Sequence, residues 1–424
     1  MRQPNLFLLG SIFLSSACGR SALDSSTTGV SAAASVGGAP FIGEATAAGG
    51  NLGAGGSRAS GGSNSTGGAS AAGGSLSIGE GTSSGGALAT GGAIGTGGAP
   101  NTGGTANTGG SIAAGGTSST GATISAVAAG GDHTCAVVNG GVKCWGANES
   151  GELGNDSTTN SPIPVQVQGL TSGVTAVASR GAHICAIVNG GVQCWGVNES
   201  GELGNNSTTA SLVPVQVQGL TSGVTAITTG YWHSCAVVNG GVQCWGGNQH
   251  GQLGINSSYP ATDNPVPVQV QGLTAGVTAV AAGAEHTCAI VNGGAFCWGR
   301  GDFGMLGNNL TYTYSKPVQV QGLTAGVTSI VAGCFHTCAL VDGGAQCWGT
   351  NLYGQLGNGS PASPVLVPVQ VHGLTAGVTA IAAGLAHTCA VADGSVLCWG
   401  QNTYGQLGNN STTDSSVPVE VLFQ

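Results

Sequence analysis

The sequence predicts an all-β fold: a six-bladed β-propeller closed by pairing of its N- and C-terminal strands and preceded by a disordered Gly/Ser-rich linker. Three observations predict it. Histidines recur at 133, 183, 233, 286, 336 and 387, an interval of 50 to 53 residues that belongs to propeller or solenoid repeats. Each interval holds four short apolar-alternating runs and no helical period, which is the strand count of one blade. The ends are also phased. Residues 123–146 supply three strand types, while Val417-Pro-Val-Glu-Val421 supplies the fourth alone. The last strand is therefore expected to complete the first blade and bury both sheet edges.

The chain begins with a weakly basic Met1-Arg2-Gln3-Pro4-Asn5, an apolar run from Leu6 to Leu14, and Ser15-Ser16-Ala17-Cys18. Residues 1–18 read as an export signal, because the run is too short to span a bilayer. Its end resembles the lipobox of bacterial lipoproteins, which makes Cys18 the expected lipidation site. Ser15 stands where that motif usually has Leu, so cleavage without lipid remains the alternative. Residues 19–122 are Gly, Ser, Ala and Thr with no aromatic after Phe41, and such a chain buries too little apolar surface to fold. We read them as a tether, and residues 123–424 as the propeller.

The first repeat sets the pattern: Val127-Ala-Ala-Gly130, His133-Thr-Cys-Ala-Val-Val-Asn-Gly-Gly-Val-Lys-Cys-Trp-Gly146, then Gly151-Glu-Leu-Gly-Asn155 and Pro164-Val-Gln-Val167. Twelve of the fourteen cysteines fall in pairs nine apart: Cys135 with Cys144, Cys185 with Cys194, Cys235 with Cys244, Cys288 with Cys297, Cys338 with Cys347, and Cys389 with Cys398. Asn-Gly or Asp-Gly lies midway in each, a dipeptide that favours a two-residue type I′ hairpin turn. Counting outward from Asn139-Gly140 makes Cys135 face Cys144 at a non-hydrogen-bonded position, where Cα atoms approach within disulfide range. Export and even pairing favour six disulfides over buried thiols or a thiolate metal site. Cys334 is left over, without a partner if Cys18 is acylated, and reads as a small packed residue, the alternative being a reactive or intermolecular thiol. The six histidines and Trp145 with its equivalents read as scaffold.

The recurring Gly-x-x-His-Thr-x-Ala and Gly-x-x-x-x-Trp-Gly-x-Asn-x-x-Gly-Gln-Leu-Gly patterns resemble the regulator of chromosome condensation repeat family, across roughly 300 residues. The resemblance implies a propeller, usually of seven blades, so six repeats and the cysteine pairs depart from the family. It also implies an exchange-factor activity, which an exported chain with seven basic and sixteen acidic residues, net charge −9, does not suit. The family further resembles secreted propellers that inhibit β-lactamases through aromatic loops, which points to a binding class.

The acidic balance excludes a basic groove for nucleic acid. Charged residues are only 5% of the chain, which leaves little material for acid–base catalysis. Variable positions before each histidine and after each Trp-Gly are the candidate binding residues: Tyr231, Trp232, Glu285, Arg300, Phe303, Phe335, Tyr353 and Tyr404, with Asp132, Asp302 and Leu352 beside them. Exposed Trp, Tyr and Arg are common interface anchors. Loops such as 155–160, 205–209 and 409–414 carry too few carboxylates for calcium, only Asp156 and Asp414, and read as turns with side-chain to backbone bonds. The expected activity is non-covalent binding of an envelope or extracellular protein or glycan by a monomeric propeller. The chain would sit at the outer membrane or cell surface by a lipid anchor, or stay periplasmic or secreted, with no cofactor or metal. The alternative is a lyase or hydrolase with a site at the central channel, hinted at by Asp132, His233 and Glu285. Glu420-Val-Leu-Phe-Gln424 resembles a protease-tag remnant, an expectation under which a seventh repeat would lie beyond it.

Overall fold

The computed structural model describes residues 111–112, 116–117 and 121–423, apart from 259, 260 and 361. The export signal, Cys18 and most of the proposed tether lie outside these residues. Two short strands, β1 (Ser111–Ile112) and β2 (Gly116–Thr117), precede blade 1, which holds β3 (Thr123–Ala129), β4 (His133–Val138), β5 (Gly141–Gly146) and β6 (Ser161–Gln166). Blade 2 holds β7 (Val174–Ser179), β8 (His183–Val188), β9 (Gly191–Gly196) and β10 (Ser211–Gln216). Blade 3 holds β11 (Val224–Thr229), β12 (His233–Val238), β13 (Gly241–Gly246) and β14 (Asn264–Gln269). Blade 4 holds β15 (Val277–Ala282), β16 (His286–Val291), β17 (Gly294–Gly299) and β18 (Tyr314–Gln319). Blade 5 holds β19 (Val327–Ala332), β20 (His336–Val341), β21 (Gly344–Gly349) and β22 (Val365–Gln370). Blade 6 holds β23 (Val378–Ala383), β24 (His387–Ala392), β25 (Ser395–Gly400) and β26 (Ser415–Glu420). The six-bladed, all-β architecture is as the sequence predicts.

Each blade is an antiparallel meander. The first strand of each touches the first strand of the next, from β3 through β23, so these strands converge on a central channel. β1 and β2, which lie inside the segment read as tether, pair with the free edge of β3, Ser111 opposite Ala128 and Gly116 opposite Ile124.

The hairpin between the second and third strands is the most local feature. Asn139 at φ 52° and Gly140 at φ 77° adopt the two positive angles that a type I′ turn demands. The register that follows sets cysteine opposite cysteine in every blade. Cys135 is bonded to Cys144, Cys185 to Cys194, and Cys235 to Cys244. In the later blades Cys288 is bonded to Cys297, Cys338 to Cys347, and Cys389 to Cys398. All six bridges predicted from the sequence are therefore present, with Cα atoms 4.0 to 4.1 Å apart.

The histidines are scaffold too. His233 donates from Nε2 to Thr287 Oγ1 at 2.8 Å, and that hydroxyl donates in turn to the Gln252 carbonyl at 2.9 Å. The same relay joins His286 to Thr337 and His336 to Thr388. Ile184 has no hydroxyl, and His133 turns instead to Ser179 at 2.7 Å. Each indole of blades 2 to 6 donates to a carbonyl of the preceding blade, as Trp245 does to Glu202 at 2.7 Å.

Two expectations are corrected. The N- and C-terminal strands do not pair: β26 pairs with β25, and blade 1 is completed by β6. Every blade is thus continuous in sequence, because the long 147–160 connection returns its strand to the same sheet. The junction set found five times between successive blades is also not repeated between blades 6 and 1. Gly154, Gly204, Gly254, Gly307 and Gly357 each lie against the next blade's indole, whereas the atoms nearest Gly408 are those of Val421. The Val127, Thr134 and Trp145 face of blade 1, and the His387, Cys389 and Val391 face of blade 6, are only half-buried where their equivalents in inner blades are mostly covered. The second correction is Cys334. It is disulfide-bonded rather than a packed thiol, and its partner is not among the described residues.

Candidate functional site

In every blade the backbone N–H after Trp-Gly bonds to the carbonyl of the residue before the histidine. Gly247 donates to Trp232 at 2.6 Å, Arg300 to Glu285 at 2.9 Å and Thr350 to Phe335 at 2.8 Å. These bonds lash the two variable loops together, so both sets of candidate residues share one end of the propeller.

On blades 3 to 5 they form one cluster. The Arg300 guanidinium gives Nη1 to Glu285 at 2.5 Å and Nε to Asp302 at 2.9 Å. Its carbon lies 5.3 Å from the Phe303 ring centre and 5.6 Å from that of Phe335, with the two rings edge to face at 5.4 Å. Burial acts to lower the Arg300 pKa, but Glu285 and then Asp302 outweigh it and hold the group firmly cationic. Beneath lies an apolar floor of Ala284, Met305, Cys334 and Phe335 with Tyr231 and Phe303 packed on it. Tyr231 meets Trp232 edge to face at 5.3 Å, and burial with the nearby Asp132 charge raises its pKa.

Local sequence builds the cluster. The other five blades use an Asn whose Oδ1 caps the Gly-x-Leu-Gly turn, as Asn248 does for Leu253 N at 3.1 Å. Blade 4 has Gly301 there, and a Cβ would collide with the Tyr312 carbonyl. The segment that carries Tyr312 therefore folds in beside Arg300 and Asp302. The Ser/Thr-rich loops are turns of the expected kind, with Thr159 N bonded to Ser157 Oγ at 3.0 Å.

Not every candidate joins. Phe335 is buried and supports rather than presents. Tyr353 is half-buried in blade 5 and Tyr404 is 89% exposed in blade 6, away from the cluster. His250 does not stand out in the sequence, yet its Nε2 lies 3.6 Å from Glu285 Oε1, and it occupies the position that Phe303 holds in the next repeat. That alignment was the available signal. Two clefts flank it. One of about 320 Å³ is lined by Glu199, Trp232, Gln249, His250 and Glu285; the other, of about 380 Å³, by His250, Ser257, Asp302, Tyr312 and Ser315. Of the residues behind the central-channel alternative, His233 is buried with its Nε2 hydrogen-bonded to Thr287 Oγ1 at 2.8 Å and its pKa lowered by burial to about 3, while Glu285 lies in the Arg300 cluster.

The Regulator of chromosome condensation (RCC1) repeat profile matches residues 139–187, 189–237, 239–290, 292–340, 342–391 and 393–424. Comparison with curated protein sequences returns no match. Among solved structures, human WBSCR16 is 25% identical over 70% of this chain and 81% of its own, with a TM-score of 0.62. Prp20p from Saccharomyces cerevisiae, described with its binding to Gsp1p and histones, is 25% identical over 71% and 77%, with a TM-score of 0.61. With six consecutive matches between residues 139 and 424, the chain belongs to the RCC1 repeat family.

Proposed function

We propose that this RCC1-type propeller is a binding protein without enzymatic activity, and that its partner docks on the loop end of blades 3 to 5. The supporting observation is the Arg300 cluster. A cation held by two carboxylates over two phenylalanines is a rigid platform, and Trp232, Tyr312 and His250 stand around it with surface to offer. The partner is an envelope or extracellular protein or glycan rather than nucleic acid, given the net charge of −9. The six disulfides support an oxidising compartment, in keeping with the export signal read from residues 1–18. With twelve cysteines in the hairpin bridges and Cys334 disulfide-bonded, Cys18 is the one cysteine of the fourteen left to pair within the chain, which favours cleavage of the export signal without lipidation over a lipid at Cys18.

The test is capture from the native cell envelope with the full chain and with Trp232→Ala and Arg300→Ala variants. Partners retained by the wild type and lost by both variants support the reading. Equal retention by all three removes this face from consideration.

A further inference from the structure

We propose that the central channel carries a binding site for a small oxyanion, phosphate-like or carboxylate-like, clasped by Arg180. Five blades place glycine just after their first strand, at Gly130, Gly230, Gly283, Gly333 and Gly384. Each is pressed against its own blade's histidine, and an added Cβ would collide with the imidazole. Blade 2 alone breaks this rule with arginine, one of seven basic residues in the chain.

Arg180 follows β7 and reaches across the channel, where Nη2 donates to the Ala332 carbonyl at the end of β19 in blade 5. That bond uses one donor of five. Nε is shielded from solvent and has no acceptor, and Nη1 meets no acceptor among the described residues. Among the described residues no carboxylate pairs with it: the ion pairs there all lie in the His250, Glu285, Arg300 and Asp302 cluster. The neighbours are His233, His286 and His336, each neutral and each with an Nδ1 that lacks a partner. Since Nε2 carries the proton in each relay, these imidazoles are neutral and bring no second positive charge beside the guanidinium. A shielded guanidinium without a counter-charge is costly, and proteins normally place an anion beside one. The planar fork with free N–H groups matches an oxyanion better than a halide.

The experiment is calorimetric titration of inorganic phosphate and of acetate into the full chain at fixed ionic strength, with thermal melts in phosphate against chloride. The comparison variants are Arg180→Gly, which restores the residue of the other five blades, and Arg180→Gln, which keeps a donor for Ala332 but no charge. One site per chain and a saturable rise in melting temperature are expected for the wild type, with at least a tenfold loss of affinity in both variants. The acetate arm separates carboxylate from phosphate ligands. Absence of saturable binding, or binding unchanged in Arg180→Gln, overturns the site. A loss of melting temperature in the variants that is equal in phosphate and chloride overturns it as well, and reduces Arg180 to a cross-channel brace.

Discussion

Glu202 shows how one atom sets a pH dependence. Blades 3, 5 and 6 use Gln at this turn, and its amide oxygen accepts a backbone N–H, as Gln252 does from His250 at 2.9 Å. Glu202 makes the same bond with Oε2 to Ser200 N at 2.9 Å, but its Oε1 is buried without a partner. Burial raises its pKa from 4.5 to about 7. An unfolded chain gives up this proton near 4.5 while the folded chain keeps it to about 7, so the folded state is increasingly disfavoured as pH rises through that window. Glu202→Gln should therefore match the wild type near pH 4 and exceed it near pH 8 by up to about 3 kcal/mol. Urea denaturation at the two values checks this; a gain that is the same at both would mean the carboxyl is not buried as described. At the same scale, Cys334 should appear in a disulfide-linked peptide on non-reducing mass mapping, and denatured, unreduced protein should take up no thiol reagent at the twelve paired cysteines. A Cys334 peptide that carries a free thiol would contradict its bonded state.

The hairpin is the element that the sequence states most completely. Asn-Gly at the turn and cysteines nine apart are all the information the register needs, because side-chain direction alternates strictly from the turn outward. Replacing both Cys235 and Cys244 by Ala should cost no more than about 3 kcal/mol, the loop-closure value for a ring of about ten residues, since the I′ turn already holds the strands together. A larger loss in denaturant midpoint would show that the bridge also shapes the folded sheet. Other elements are less legible for physical reasons. The 147–160 connection is long enough to look like a break between blades, so the pattern alone assigns the fourth strand to the wrong sheet; only its pairing, Val165 opposite Cys144, places it. The binding loops are visible as departures from the repeat, because six copies in one chain provide their own comparison. Arg180 is the same kind of departure at a glycine position, but one arginine among loops reads as solvent-exposed until the channel is seen. His250 is hidden because a lone imidazole gives no sign that Glu285, thirty-five residues later, will lie beside it.

At the scale of the molecule, stability follows from a row of near-identical junctions. Each blade buries its histidine relay, indole and glycine seat against one neighbour, so the fold behaves as a curved stack whose energy is close to a sum over adjacent pairs. Blades 2 to 5 have two such neighbours, and blades 1 and 6 have one. Trp245 is fully buried and bonded to Glu202, whereas Trp145 is half-buried and has no equivalent acceptor in blade 6. Trp245→Ala should thus cost about 3 to 5 kcal/mol and Trp145→Ala distinctly less. The same asymmetry governs opening. In a closed ring, release of any blade breaks two junctions, and amide protection should be even around the circle. In the stack described here, release of an end blade breaks one. Hydrogen exchange under native conditions should accordingly be fastest in β3 to β5 and in β23 to β25, and slowest in blades 3 and 4. Protection that is uniform through all six blades would show that the first and sixth sheets meet in solution, and Trp145 would then cost as much to remove as Trp245.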